Sequence, residues 1–302
     1  MTPKIFGAIR SRSVLAANPV AGSLFATGAA LFATGAALAQ EPIIGRPTPG
    51  GYTLPTSVTV IGHEIDFFHN AILLPIITFI CLFVLALLVW IVVKFNDKAN
   101  PVPSKTTHNA LLEVAWTVLP VLILLGIAIP SFRLLNHQLT IPDSDMTVKV
   151  TGNASWAWTY SYPKEEGGGF EFQSRILDQE NLPAGKLRLL DVDNEAVVPV
   201  NKTVRVLVTA DVVGIIHSFV IPAFGVRIDA VPGRMNESWF KAEREGVYYG
   251  QCSKLCGKDH AYMPIVFRVV SEEAYKAWLA EGQKKYAAVE SPVRLAAAAE
   301  AN

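Results

Sequence analysis

Cysteine is scarce: three residues in a chain of 302 exclude a disulfide scaffold. Charge is scarce too. Only 17% of residues are charged, and 26 basic side chains balance 26 acidic ones, so there is no net field to suggest a nucleic-acid partner. No structural repeat is present. With charge missing and mean hydropathy positive, the chain points toward a membrane.

The first 39 residues fit an export signal: Lys4, Arg10 and Arg12, then an apolar stretch, then Ala37-Leu38-Ala39 as an A-x-A cleavage site. Within it "LFATGAA" occurs at 24–30 and again at 31–37, as suits a segment required only to be greasy. An uncleaved membrane anchor is the other reading. Residues 71–93 are 23 residues without a charge, enough at about 1.5 Å per residue to cross a core of roughly 30 Å. A second apolar run, Ala110 to Phe132, carries one acid, Glu113. The loop between them holds Lys94, Lys98 and Lys105 against Asp97, which places it in the cytoplasm and both flanks in the periplasm. Cys81 reads as a small hydrophobe within the first span.

The expected organisation is a signal peptide (1–39), a periplasmic N-terminal segment (40–70), a two-helix transmembrane hairpin (71–135), a periplasmic β domain (143–270), and a C-terminal helix and tail (271–302). Short alternating runs such as "MTVKVTG" and "TVRVLVTA", without a helical period, predict a Greek-key barrel or sandwich. From Ser271 the pattern turns helical, with acids first and lysines last.

The remaining two cysteines lie in "QCSKLCGKDHAYMP", where Cys252, Cys256, His260 and Met263 are spaced C-x3-C-x3-H-x2-M. Structural zinc seldom uses a thioether, whereas thiolate, imidazole and thioether together suit copper. Of six histidines, His217 is the other one away from the membrane flanks. A single copper would leave one thiolate over. Two coppers bridged by both thiolates would use every ligand, with Met263 and a backbone carbonyl as weaker donors. A Cys252–Cys256 disulfide with bystander His and Met is the third reading. In "SWAWTYSYP", Trp156, Trp158, Tyr160 and Tyr162 alternate with smaller residues, which by period two places all four on one strand face. Glu113 reads either as a helix-end partner or as a functional intramembrane acid.

These segments together resemble subunit II of haem-copper cytochrome c oxidase. The resemblance runs from about Pro47 to Leu279, through "GRPTPGG", "FNDKANPVPSKTTHN", "LLEVAWTVLPVLIL", "HSFVIPAFGVRIDAVPGR" and "GVYYGQCSKLCGKDHAYMPI". It implies a membrane-anchored all-β protein of the bacterial inner membrane, its cupredoxin-like domain in the periplasm. The implied binuclear copper centre, CuA, has His217, Cys252, Cys256, His260 and Met263 as ligands and the backbone carbonyl of Lys254 as a further one. Cytochrome c would deliver electrons through Trp156, His260 would face the haem of subunit I, and Glu113 would mark the cytoplasmic mouth of a proton path. Four departures stand out. "GNAS" is one residue longer than the family spacing; Ser161 and Gly214 stand where acids are usual, Gly214 in a segment two residues longer; and Lys254 replaces a glutamate that helps hold magnesium. The expectation is that copper is kept and the magnesium site lost. A membrane-tethered copper chaperone is the alternative function, but it needs a thioredoxin-like βαβ core and usually a single anchor. A copper-free quinol-oxidase subunit would lack both cysteines.

Overall fold

The computed structural model describes residues 43–51 and 53–286. The expected signal segment and the end of the C-terminal tail lie outside the described residues. Residues 48–51 form a turn of their own, in which Gly51 N donates to the Thr48 carbonyl; everything below concerns the other, larger unit.

Two long helices come first. Helix α1 runs Val60–Lys94, beginning eleven residues before the charge-free stretch because Thr59 caps it: its hydroxyl accepts from Gly62 N at 3.0 Å. Its turn Phe68–Leu73 is a π-helix leading into Pro75. A proline has no N–H and crowds the preceding turn, and a widened turn there relieves both problems. Helix α2 (Ala110–Leu139) opens on a reciprocal cap. The Asn109 side chain accepts from Leu111 N and Leu112 N, and the Glu113 carboxylate accepts from Asn109 N at 3.1 Å. Across Leu74–Lys94 and Ala110–Leu139 no residue is buried. Helices apolar on every side, with nothing covering them, are built for lipid.

Ten strands make the β domain. One sheet runs β3 (Phe170–Ser174), β2 (Trp158–Tyr162), β1 (Met146–Gly152), β5 (Thr203–Ala210), β8 (Asn236–Lys241). The other runs β4 (Ala196–Pro199), β10 (Pro264–Val270), β9 (Gly246–Cys252), β6 (His217–Ile221), β7 (Val226–Ala230). Each sheet contains one parallel pair, β1 with β5 and β4 with β10. Alternation along β1, β2 and β5 turns Val148, Val150, Trp158, Tyr160, Val206 and Val208 inward against Phe219, Ile221, Ile265 and Phe267 of the second sheet. Each such side chain stabilises the fold by about 1.5–3 kcal/mol through burial. An isolated bridge, Ala210 to Pro232, ties the end of β5 to the connection between β7 and β8. The result is the cupredoxin-like architecture that the resemblance implied, not a thioredoxin-like βαβ core.

Two attachments complete the unit. Helix α3 (Glu272–Tyr286) covers the β3 edge, with Tyr286 stacked on Phe170 and Phe172 and Trp278 edge-on to both. His137 Nδ1 to Glu64 Oε2 at 2.8 Å ties the outer ends of the two helices to each other, and the His137 ring against Trp239 and His63 Nε2 to Glu243 Oε2 at 3.1 Å tie them to the β domain.

Candidate metal centre

Adjacent strands β10, β9 and β6 bring the soft side chains to one end of the second sheet. His217 is the first residue of β6 and Cys252 the last of β9, and register pairs Phe219 with Cys252. Residues 253–263 leave β9, make a short turn at His260–Tyr262, and return through Met263 into β10, where Pro264 pairs with Gln251. Both ends of this loop are therefore pinned by sheet hydrogen bonds.

The donors converge. Cys252 Sγ and Cys256 Sγ lie 3.8 Å apart as free thiols. His217 Nδ1 is 3.9 Å from Cys252 Sγ, and His260 Nδ1 is 3.3 Å from Cys256 Sγ. Met263 Sδ is 3.6 Å from Cys256 Sγ, while the carbonyl of Lys254 lies 3.3 Å from Cys252 Sγ. His217, Cys252, Cys256 and Met263 are buried; His260 is half-buried.

Electrostatics show what the cluster wants. Burial, then the neighbouring Cys252, pushes the Cys256 thiol up to about 12. Burial lowers His217, against the pull of the Asn153 carbonyl and Asp211. The His217 Nε2 is buried without a hydrogen-bond partner. Two thiols this close cannot both ionise unless a cation compensates them. Sulfur, imidazole and thioether donors suit a soft one, so the residues fit copper.

Neighbouring residues shape the site. Gly152 lies beneath His217: a Cβ there would come within 2.8 Å of the imidazole Cδ2. Trp158, fully buried, stands edge-on to the His217 ring and donates Nε1 to the Met263 carbonyl at 3.2 Å. Neither role was read from the sequence, where Gly152 closes the run "MTVKVTG" and Trp158 is one of four aromatics assigned to a strand face.

Trp156 departs from expectation. Trp158, Tyr160 and Tyr162 do share the inward face of β2, but Trp156 precedes the strand in a turn, with φ of 54° and its N–H donating to the Asn153 carbonyl. A bulky residue in the left-handed region costs about 1–3 kcal/mol and persists only where its surroundings hold it. What holds it is the centre itself: Trp156 Nε1 donates to the Cys256 carbonyl at 2.9 Å. Gly257, with φ of +115°, leaves room for the indole, since a Cβ there would meet the ring at 2.9 Å. The ammonium of Lys258 lies 5.9 Å from the ring centroid.

Lys254 is half-exposed and pairs with Asp229 of β7, Nζ to Oδ2 at 3.4 Å. This partner within the chain was not anticipated. Glu113 is not brought to the cluster. It lies in the first turn of α2, roughly 36 Å along the helix from His137 at the end that meets the β domain.

The family described as the periplasmic domain of cytochrome c oxidase subunit II matches residues 146–270, and that described as its transmembrane domain matches residues 47–134. Cytochrome c oxidase subunit 2 of Cereibacter sphaeroides is 47% identical over 88% of this chain and 90% of that protein. The probable cytochrome c oxidase subunit 2 of Rickettsia felis is 49% identical over 79% of this chain and 74% of that one. A crystal structure of the periplasmic domain of subunit II of cytochrome oxidase from Bradyrhizobium japonicum is 52% identical, covering 49% of this chain and 99% of that one, with a TM-score of 0.44.

Proposed function

The chain belongs to the cytochrome c oxidase subunit II family, a component of a haem-copper oxidase, and from that premise we propose that it is the subunit through which electrons reach the enzyme. The observation that carries this reading is the pair of free, buried thiols 3.8 Å apart with one imidazole beside each. His217, Cys252, Cys256, His260 and Met263, with the carbonyl of Lys254, would hold a binuclear copper centre. When bound, the copper pair supplies a one-electron store whose charge is shared between two ions.

The residues supply the rest. Sheet hydrogen bonds at both ends of the 253–263 loop resist movement of the donors, which keeps the reorganisation accompanying a change of charge small. Trp156 is the point where cytochrome c delivers its electron, because its indole N–H is bonded directly to the backbone of ligand residue Cys256. His260, less buried than His217, faces subunit I and offers the route onward to haem, where oxygen reduction coupled to proton pumping takes place.

The lysine-bearing 94–105 loop supports an orientation with that loop in the cytoplasm, which for a hairpin in the bacterial inner membrane puts the β domain in the periplasm. Glu113, held at the cytoplasmic end of α2 by Asn109, is the proposed mouth of the proton path. Lys254 offers an ammonium where a hard cation needs oxygen, so no magnesium is held there.

Copper loading of the full chain in detergent tests the central reading. The expected result is a purple, mixed-valence spectrum with a multi-line paramagnetic signal and two coppers per chain. A colourless protein, or one copper per chain, overturns it.

A further inference from the structure

Outside the helices, the most exposed apolar side chains in the described residues are Val213, at 97%, and Val212, at 87%. They sit in the turn Asp211–Ile216 that leads directly into His217, with Ile215 and Ile216 also exposed. The turn is built to present them. Gly214 N donates to the Asp211 carbonyl at 2.8 Å, Asp211 N donates to the Gly152 carbonyl, and the Asp211 carboxylate accepts from Ala154 N at 3.1 Å. These bonds join the valine turn to the 153–157 turn that carries Trp156.

Charge around that indole is also unusual. The Asp211 carboxylate is engaged by a backbone N–H, and Lys258, whose ammonium stands over Trp156, also pairs with Asp259, Nζ to Oδ2 at 3.9 Å. A lysine-rich donor face would meet that ammonium and find the carboxylates of Asp211 and Asp259 already engaged.

Resting on the reading of Trp156 as the point of electron delivery, we propose that the Val212–Val213 turn, with Lys258, selects the electron donor. The matching partner is an electron-carrying protein whose contact face is apolar and bears a carboxylate, rather than lysines, opposite Trp156. Contiguous exposed apolar surface marks interaction sites, and apolar contacts at the centre of an interface carry affinity that salt does not screen.

The test uses the purified oxidase complex and two probes: a soluble c-type cytochrome with a lysine-rich face, and one with an apolar, acid-bearing face. The wild-type enzyme should oxidise the second with the lower KM and with little change from low to physiological salt. Val212→Asp with Val213→Asp should raise that KM roughly ten-fold, the scale of losing two apolar contacts, while kcat at saturation and the copper spectrum stay as they were. Lys258→Glu should lower KM for the lysine-rich cytochrome and make it salt-dependent. If the valine variant leaves both KM values unchanged while Trp156→Ala slows turnover, the proposal is overturned and the delivery reading survives. Full-rate turnover by Trp156→Ala overturns the delivery reading instead. Loss of another subunit from the valine variant's complex overturns the proposal by assigning the patch to an interface within the oxidase.

Discussion

His217 and Cys252 sit on paired strands, whereas Cys256, His260 and Met263 sit on the loop that follows. The strand-borne pair is placed by register: β6 and β9 hydrogen-bond to each other, Phe219 lies opposite Cys252, and His217 is wedged between Gly152 and Trp158. The loop-borne three are placed by tethers. Cys256 is reached by the Trp156 indole, the Met263 carbonyl by Trp158, and His260 is held by its own N donating to the Gly257 carbonyl. The contrast teaches that half of this site exists because the sandwich folds, and half because two tryptophans of the opposite sheet's β1–β2 region reach across to the loop. Metal binding then completes a partly built site, and stability gained from binding falls mainly on the loop.

The largest effect should come from removing a thiol on either side of that divide. Cys252→Ser and Cys256→Ser should each abolish the two-copper spectrum, because a hydroxyl is a hard, weakly acidic replacement for a bridging thiolate. If the strand-side and loop-side variants differed, one keeping the full two-copper signal, the shared role of the two sulfurs would be wrong.

Two glycines break the comparison more selectively. Gly152→Ala pushes a methyl group into the His217 ring within the folded sandwich, an overpacking worth about 1–3 kcal/mol. It should lower the thermal midpoint of the copper-free protein. Gly257→Ala meets both a φ of +115° and the Trp156 ring, but on the loop, at a cost of about 1 kcal/mol or more. There the copper-free midpoint should change less, and the copper spectrum and electron-transfer rate more. Equal shifts in the copper-free midpoints of the two variants would remove the distinction between a strand-built and a loop-built half.

This distinction also explains what the sequence could show. The two thiols, two imidazoles and thioether were legible because soft donors at such spacing have few other uses, and His217 because the remaining histidines flank the spans. The two-sheet fold and both membrane helices were legible from periodicity and length. Trp156 was misplaced because alternation continues through "SWAWTYSYP", although a left-handed turn interrupts the strand before Trp158. The early start of α1 was hidden because its first turns are polar enough to resemble a linker, and only the Thr59 cap reveals them. Glu113 carries a capping bond with Asn109 that a propensity argument does not separate from a proton role. The partner of Lys254 was not legible at all, since Asp229 is 25 residues away and reaches it only through the register of β7 on β6.

That last pair gives the smallest predicted effect on stability and a clear one on metal content. The Lys254 carbonyl sits 3.3 Å from Cys252 Sγ and does not depend on the side chain, so Lys254→Met should keep the two-copper spectrum. The ion pair it forms with Asp229 is half-exposed and screened, so its loss should cost about 0–1 kcal/mol in thermal unfolding, and a double-mutant cycle with Asp229→Asn should give coupling of that size or less. Lys254→Glu is different in kind. It places a second carboxylate beside Asp229, two oxygen donors where an ion pair stood, which is what magnesium or manganese requires. Cells grown with manganese in place of magnesium should yield a wild-type oxidase without a stoichiometric bound manganese signal, and a Lys254→Glu oxidase with one. A full manganese signal in the wild type would mean that the Lys254–Asp229 pair opens to admit a cation, and the proposed loss of the site would be wrong.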